Sequence, residues 1–191
     1  MTMLQIQIEP VQVVRGELRV PYVITNPGDT AAYVYNLVPD RFGVLAGKPD
    51  PVPSAHLAQS CYDRDGIALF VLGQVRRPPS PKAYVSEPKP LASRVEPGRG
   101  FQATIRAPLP LVEWSEVWTP DRESPELVDT PITLVQIVLE YALEPDLINV
   151  REDAKGVFAI SERMRHRAIA DRDVGELGVR MLVHPRATRF A

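Results

Sequence analysis

Three arginines at alternating positions, Arg163, Arg165 and Arg167, are residues whose type and spacing could bind an anion. Side chains two residues apart on a β-strand point to the same face, so the three guanidinium groups would form one row. Each offers a planar fork of N–H donors that suits phosphate or carboxylate. With no Phe, Tyr or Trp interleaved, the pattern gives only weak support for nucleic-acid binding. Two interpretations remain, an anion-binding row or a salt-bridged solvent face, and the second is favoured.

Two tryptophans, Trp114 and Trp118, form the second candidate site. They lie in a proline-containing stretch, 111–131, which is predicted to connect strands. Aromatic side chains on a loop can stack on sugar rings or anchor a protein partner. The alternative is that they cover an open end of the core. The candidate ligand-binding residues are therefore these two tryptophans and the three arginines.

A third group, His56, Cys61, Asp63 and Asp65, could in principle hold a metal or form a Cys–His nucleophile. A zinc site requires three or four ligands with short paired spacings, which the group lacks. An EF-hand is excluded because the twelfth residue from Asp63 is Gln74, which has no carboxylate. The favoured interpretation is a turn with one partly buried thiol. We therefore predict no metal, no cofactor and no catalytic residue.

Composition excludes several classes of protein. The chain has 191 residues, 45% of them hydrophobic, which is typical of a globular protein and argues against global disorder. A net charge of −2 predicts no strong attraction to nucleic acid or membrane. One cysteine cannot form an internal disulfide, and no apolar run reaches the length of a membrane span. The N-terminal residues lack the apolar core of a signal peptide, so a cytoplasmic location is expected.

The elements that must position these residues are predicted to be strands. Leu18, Val20, Tyr22 and Ile24 alternate with more polar neighbours, as a half-buried strand requires. An Asn26-Pro-Gly-Asp29 turn follows, and a type II geometry would place Gly28 at positive φ. Residues 101–106 alternate in the same way. Residues 132–143 are β-branched and flanked by prolines, which favours a strand over a helix. Twenty prolines, clustered between the apolar runs, also disfavour helices.

The two Gly-containing turns, Asn26-Pro-Gly-Asp29 and Val95-Glu-Pro-Gly98 before a clean alternating strand, resemble those of bacterial immunoglobulin-like domains. The resemblance covers residues 15–145. The sequence departs from it in having no cysteine pair and no tryptophan in a clear core strand. We predict an all-β fold, an immunoglobulin-like antiparallel β-sandwich with long proline-rich loops. Residues 1–191 would form one domain, with 151–191 as an extension packed on the sandwich.

Such a resemblance implies binding or adhesion more often than catalysis, although fold does not decide function. The first hypothesis is a non-enzymatic module that binds a protein or polymeric ligand through its loops or an exposed strand edge. Exposed edges also permit a homodimer. The second is an accessory or catalytic domain in carbohydrate or peptide metabolism that uses the tryptophans. The third is an anion or nucleic-acid binder working through residues 163–167.

Overall fold

The computed structural model describes residues 3–39, 53–54, 58–72, 91–113 and 126–183. Their regular structure consists of sixteen strands and three 3-10 helices of three residues each, which confirms the all-β class. The strands are β1 Gln5–Ile8, β2 Gln12–Val14, β3 Glu17–Thr25, β4 Ala32–Pro39, β5 Pro53–Ser54, β6 Gln59–Asp63, β7 Ile67–Leu72, β8 Leu91–Val95, β9 Gly100–Pro108, β10 Leu111–Val112, β11 Val128–Pro131, β12 Leu134–Leu143, β13 Leu147–Ala154, β14 Val157–Glu162, β15 His166–Asp173 and β16 Arg180–Val183. The helices are Arg64–Gly66, Glu144–Asp146 and Gly175–Leu177. No helix in the described ranges is long and apolar enough to cross a membrane.

The first sheet is built on β3, which pairs antiparallel with β9 on one side and with β1 and then β2 on the other. A proline within a strand, such as Pro21, usually indicates an edge strand or a bulge. Instead β3 is central, and Pro21 lies opposite the break between β1 and β2. Glu9 N donates to Pro21 O at 2.9 Å across this break. The missing proline donor is tolerated because the ladder is already interrupted there.

The second sheet is built on β12, which confirms the strand predicted within residues 132–143, although it begins at Leu134. β12 pairs along its length with β15, antiparallel. On its other side it pairs first with β7, in parallel, and then with β4, antiparallel. The sheet continues from β4 through β8 and β14 to β13, and from β7 to β6. The parallel pair departs from the antiparallel prediction.

These two sheets share one apolar core, consistent with a β-sandwich. The predicted inner face of β3, Leu18, Val20, Tyr22 and Ile24, is fully buried. It belongs to the same cluster as the alternating apolar residues 135–143 of β12. A third, small sheet of β10, β16 and β11 contributes residues such as Met181 to this core.

A second apolar cluster lies on the other face of the β12 sheet. It consists of Tyr33, Tyr35, Ala92, Ala142 and Ile160, and Phe158 packs edge-on to Tyr33 at 5.4 Å between ring centroids. The β4 sequence did not indicate which of its faces is buried. The structure buries both, because this cluster covers one face and the main core covers the other.

Asn26 joins the two turns that carry the family resemblance. Residues 26–31 lead from β3 to β4 and residues 96–99 lead from β8 to β9, so both turns cross between the two large sheets. Asn26 N donates to Arg99 O and Gly98 N donates to Asn26 O, each at 2.8 Å. The predicted positive φ at Gly28 is wrong; it occurs at Gly98 instead. The first turn is held by the Asn26 side chain, whose Oδ1 accepts from Gly28 N at 3.1 Å.

Candidate functional site

The structure describes some of the residues predicted from the sequence and not others. Trp114 and Trp118 lie outside the described residues, as does His56. The three arginines are described, but they do not form one row on a strand. Arg163 and Arg165 lie in the bend between β14 and β15, and only Arg167 is within β15.

Arg165 is held by two carboxylates and an aromatic ring. Its Nη1 donates to Glu140 Oε2 at 2.9 Å and its Nε to Glu162 Oε1 at 2.7 Å. Its guanidinium carbon lies 4.4 Å from the centroid of the Tyr35 ring. Desolvation lowers the pKa of Arg165, but its hydrogen bonds to Glu140 and Glu162 outweigh this effect and raise the pKa above its ordinary value. The group is thus a fixed cation at any pH at which the fold persists.

Glu140 is the buried member of this cluster, with 3% of its surface exposed. It lies directly opposite Arg167 in the β12–β15 ladder, and Arg167 Nε donates to Glu140 Oε1 at 3.1 Å. A buried carboxylate needs such partners because an isolated charge in the interior is strongly unfavourable. Arg167 nevertheless keeps 65% of its side chain exposed.

Tyr35 completes the cluster by donating from its hydroxyl to Glu162 Oε2 at 2.6 Å. Burial and this hydrogen bond raise the pKa of Tyr35 above its ordinary value. β4, β12, β14 and the bend before β15 therefore meet at one network of charges. The network fixes the start of β15, because Arg165 and Arg167 are each hydrogen-bonded to Glu140 of β12.

Sequence reasoning missed Glu140, Glu162 and Tyr35. One signal for Glu140 was available, because it is the one charged residue within the apolar run 132–143. A carboxylate in such a run requires a cationic partner. The sequence did not show which arginine would supply it.

The opposite face of β15 carries a histidine. His166 stacks on Tyr141 with ring centroids 5.3 Å apart, and its Nε2 lies 2.9 Å from Asp146 Oδ2. Arg163 N donates to Asp146 O at 2.8 Å, so the backbone of the bend is tied to the same segment. The Arg163 side chain is exposed.

Beyond these contacts, β15 lies at the edge of its sheet, with β1 of the first sheet close beside it. Within the described ranges its one ladder partner is β12. A cleft of about 490 Å³ opens beside it, lined by residues 3–7, by Val23 and Thr25 of β3, and by residues 167–169. Met3 and Ile169, at 55% and 57% exposure, place apolar surface at this cleft. We refer to β15 and this cleft as the β15 edge.

Cys61 and Asp63 lie on β6, and Asp65 follows in a left-handed conformation with φ of 66°. No group of three His, Cys, Asp or Glu residues in the described ranges could hold a metal ion.

Comparison of the chain with protein-family models, with curated proteins and with solved structures gave no match.

Proposed function

We propose that this chain is a non-enzymatic interaction module, an immunoglobulin-like β-sandwich that binds a polypeptide at the β15 edge. The observation that carries the proposal is a one-sided strand whose exposed apolar surface lies beside a cleft of about 490 Å³. β15 pairs with β12 alone among the described residues, and Ile169 near its middle is 57% exposed. An edge strand presents a row of backbone donors and acceptors that another extended chain can pair with.

The local sequence of β15 supports such pairing. Its eight residues include no proline and no glycine, so the residues whose N–H points away from β12 can all donate to a partner while the strand stays extended. The ion-pair network at Arg165 fixes the strand's start before any partner arrives. A rigid edge loses less conformational entropy on binding than a mobile one.

The alternative of anion binding at residues 163–167 is less well supported by the geometry. The Arg165 guanidinium already faces Glu140 and Glu162, so an external phosphate would have to displace a carboxylate. Arg163 and Arg167 remain as exposed cations, and Arg167 is itself bonded to Glu140. Two surface arginines, one of them paired, form a weak anion site.

A site-specific photocrosslinker tests the proposal. We would place it at position 169 and, as a control away from any strand edge, at position 177, where Leu177 is 39% exposed in the helix Gly175–Leu177. Both variants would be expressed in the cells that produce the protein and irradiated. The expected result is a discrete polypeptide adduct at position 169, several-fold stronger than at position 177. Equal or absent adducts at the two positions would refute the proposal.

A further inference from the structure

The outward-facing residues of β15 form an ordered pattern of charge. Arg167, Ile169 and Asp171 share one face of the strand, so this face runs from positive through apolar to negative. Ala168 and Ala170 lie between them on the other face. Read in the opposite direction, the same face runs from negative through apolar to positive. A strand of this kind is complementary to an antiparallel copy of itself.

We propose that two copies of this chain associate through antiparallel pairing of their β15 strands. The two-fold axis passes midway between the two copies of Ile169. This rests on the proposed function and names its partner as a second copy of the chain. Ile169 then faces Ile169 of the second copy, and Arg167 faces Asp171 of the second copy on both sides of the axis. Such an interface is isologous, so the contact between Arg167 and Asp171 occurs twice, once on each side of the axis. The two β12 sheets become one continuous sheet across the dimer.

In the proposed pairing, rows of directly opposite side chains within one chain continue into the second copy. Val71, Val138 and Ile169 are directly opposite one another in β7, β12 and β15, and form one apolar row. Pairing at Ile169 continues this row into the second copy.

The charged row continues in the same way. Glu140 lies opposite Arg167, so adding Asp171 of the second copy gives alternating negative, positive and negative side chains. The exposed part of Arg167, 65% of its side chain, is where that carboxylate would bind. Arg165 is left out of this charged row, because its guanidinium is already hydrogen-bonded to Glu140 and Glu162.

Neighbouring registers lack this complementarity. Moving the axis to residue 168 or 170 places Ile169 opposite Arg167 or Asp171 of the second copy. An apolar side chain then faces a charge on each side of the axis. An axis between two residues would place inner and outer faces opposite each other, which the pleat forbids.

The first test is cysteine crosslinking with Ile169→Cys. Residues directly opposite in an antiparallel pair have Cα atoms about 4.5–5.5 Å apart, within the range that a disulfide spans. Mild oxidation should convert most of the variant to a linked dimer. Arg172→Cys is the matched control, because its two copies would lie about 20 Å apart. The unaltered chain controls for linkage through Cys61. Equal linkage of the two variants would overturn the register.

The second test reverses one charge. Asp171→Arg places two arginines opposite each other on both sides of the axis and should weaken the dimer at least about tenfold. Asp29→Arg makes the same change at an exposed residue of the first turn and should leave the dimer intact. Sedimentation velocity across a concentration series measures both, with circular dichroism confirming that each variant folds. Equal dimer affinity in the two variants would overturn the proposal.

The tests distinguish failure of the dimer proposal from failure of the proposed interaction module. If the unaltered chain sediments as one copy at about 100 μM, the dimer is refuted. An adduct with a different polypeptide at position 169 would then leave the interaction module standing. If no adduct forms there either, both proposals fail.

Discussion

The substitution Asn26→Ala should lower the free energy of unfolding by about 3 kcal/mol. Asn26 is 1% exposed, and its Nδ2 donates to Thr30 O at 2.9 Å and to Val95 O at 3.0 Å. Its Oδ1 accepts from Gly28 N. Three hydrogen bonds at about 1 kcal/mol each give the magnitude. For a chain of this length the corresponding fall in melting temperature is about 6–12 °C.

Asn26→Asp is a stricter test than Asn26→Ala, because aspartate keeps the shape of the asparagine side chain but has neither of its N–H donors. At neutral pH a buried carboxylate would face the carbonyl oxygens of Thr30 and Val95. We expect a loss larger than that of Asn26→Ala, since a buried unpaired charge costs more than a missing amide. Burial should raise the pKa of the new carboxyl in the folded state above its unfolded value. Its deficit relative to the unaltered chain should therefore shrink as the pH falls from 7 toward 4.

Urea denaturation followed by far-ultraviolet circular dichroism measures these changes. The midpoint should fall while the slope of free energy against urea stays constant, because the same surface is exposed on unfolding. Asp29→Ala, at an exposed residue of the same turn, should stay within about 0.5 kcal/mol of the unaltered chain. The reasoning is refuted if Asn26→Ala matches this control, or if the deficit of Asn26→Asp does not depend on pH.

Three further predictions concern the ion-pair network and the first sheet. Tyr35→Phe should lower the free energy of unfolding by about 1.5 kcal/mol, because it removes a hydrogen bond to a carboxylate. The raised pKa of Tyr35 contributes stability that is present below about pH 10 and is lost as the pH rises above it. The variant should therefore show a shallower alkaline decline in urea midpoint, and an unchanged decline would contradict the argument. Glu140→Gln should cost about 1–2 kcal/mol, and a double-mutant cycle with Arg167→Met should show coupling; additive losses would mean that the pair is not formed. Gly100→Ala should cost about 2 kcal/mol or more, because a Cβ there meets a backbone carbonyl of β3. Gly175→Ala, where a Cβ meets one side-chain atom at 3.4 Å, should change the melting temperature little, and equal shifts for the two glycines would count against the contact.

Local alternation of side chains predicted the all-β class and the inner face of β3. It succeeded because the alternation within a strand determines which of its faces is buried, whatever covers that face. The apolar face of β3 is buried in this way, and its residues are Leu18, Val20, Tyr22 and Ile24. The strand at residues 132–143 was predictable for a similar reason. β-branched residues between two prolines favour an extended conformation before any partner is chosen.

The parts that were not predicted depend on pairing between distant segments. The contact of Glu140 with Arg167 follows from the β12–β15 register, which no local pattern specifies. The same holds for the parallel pairing of β12 with β7. The prediction that the three arginines form one row assumed that residues 163–167 lie on one continuous strand. The chain instead bends at Arg163, where the backbone amide bonds to Asp146 O.

The central position of β12 has a consequence for how the chain is made. In the order of synthesis β4 precedes β12 by about a hundred residues, since Tyr141 pairs with Val34, and β7 precedes it by about seventy, since Leu134 pairs with Ile67. During translation both earlier strands leave the ribosome well before the strand that will cover their edges. Contacts this distant in sequence also slow folding, because long loops must close before they form. The nascent chain therefore passes through an interval in which capture by a chaperone would protect it from misassembly.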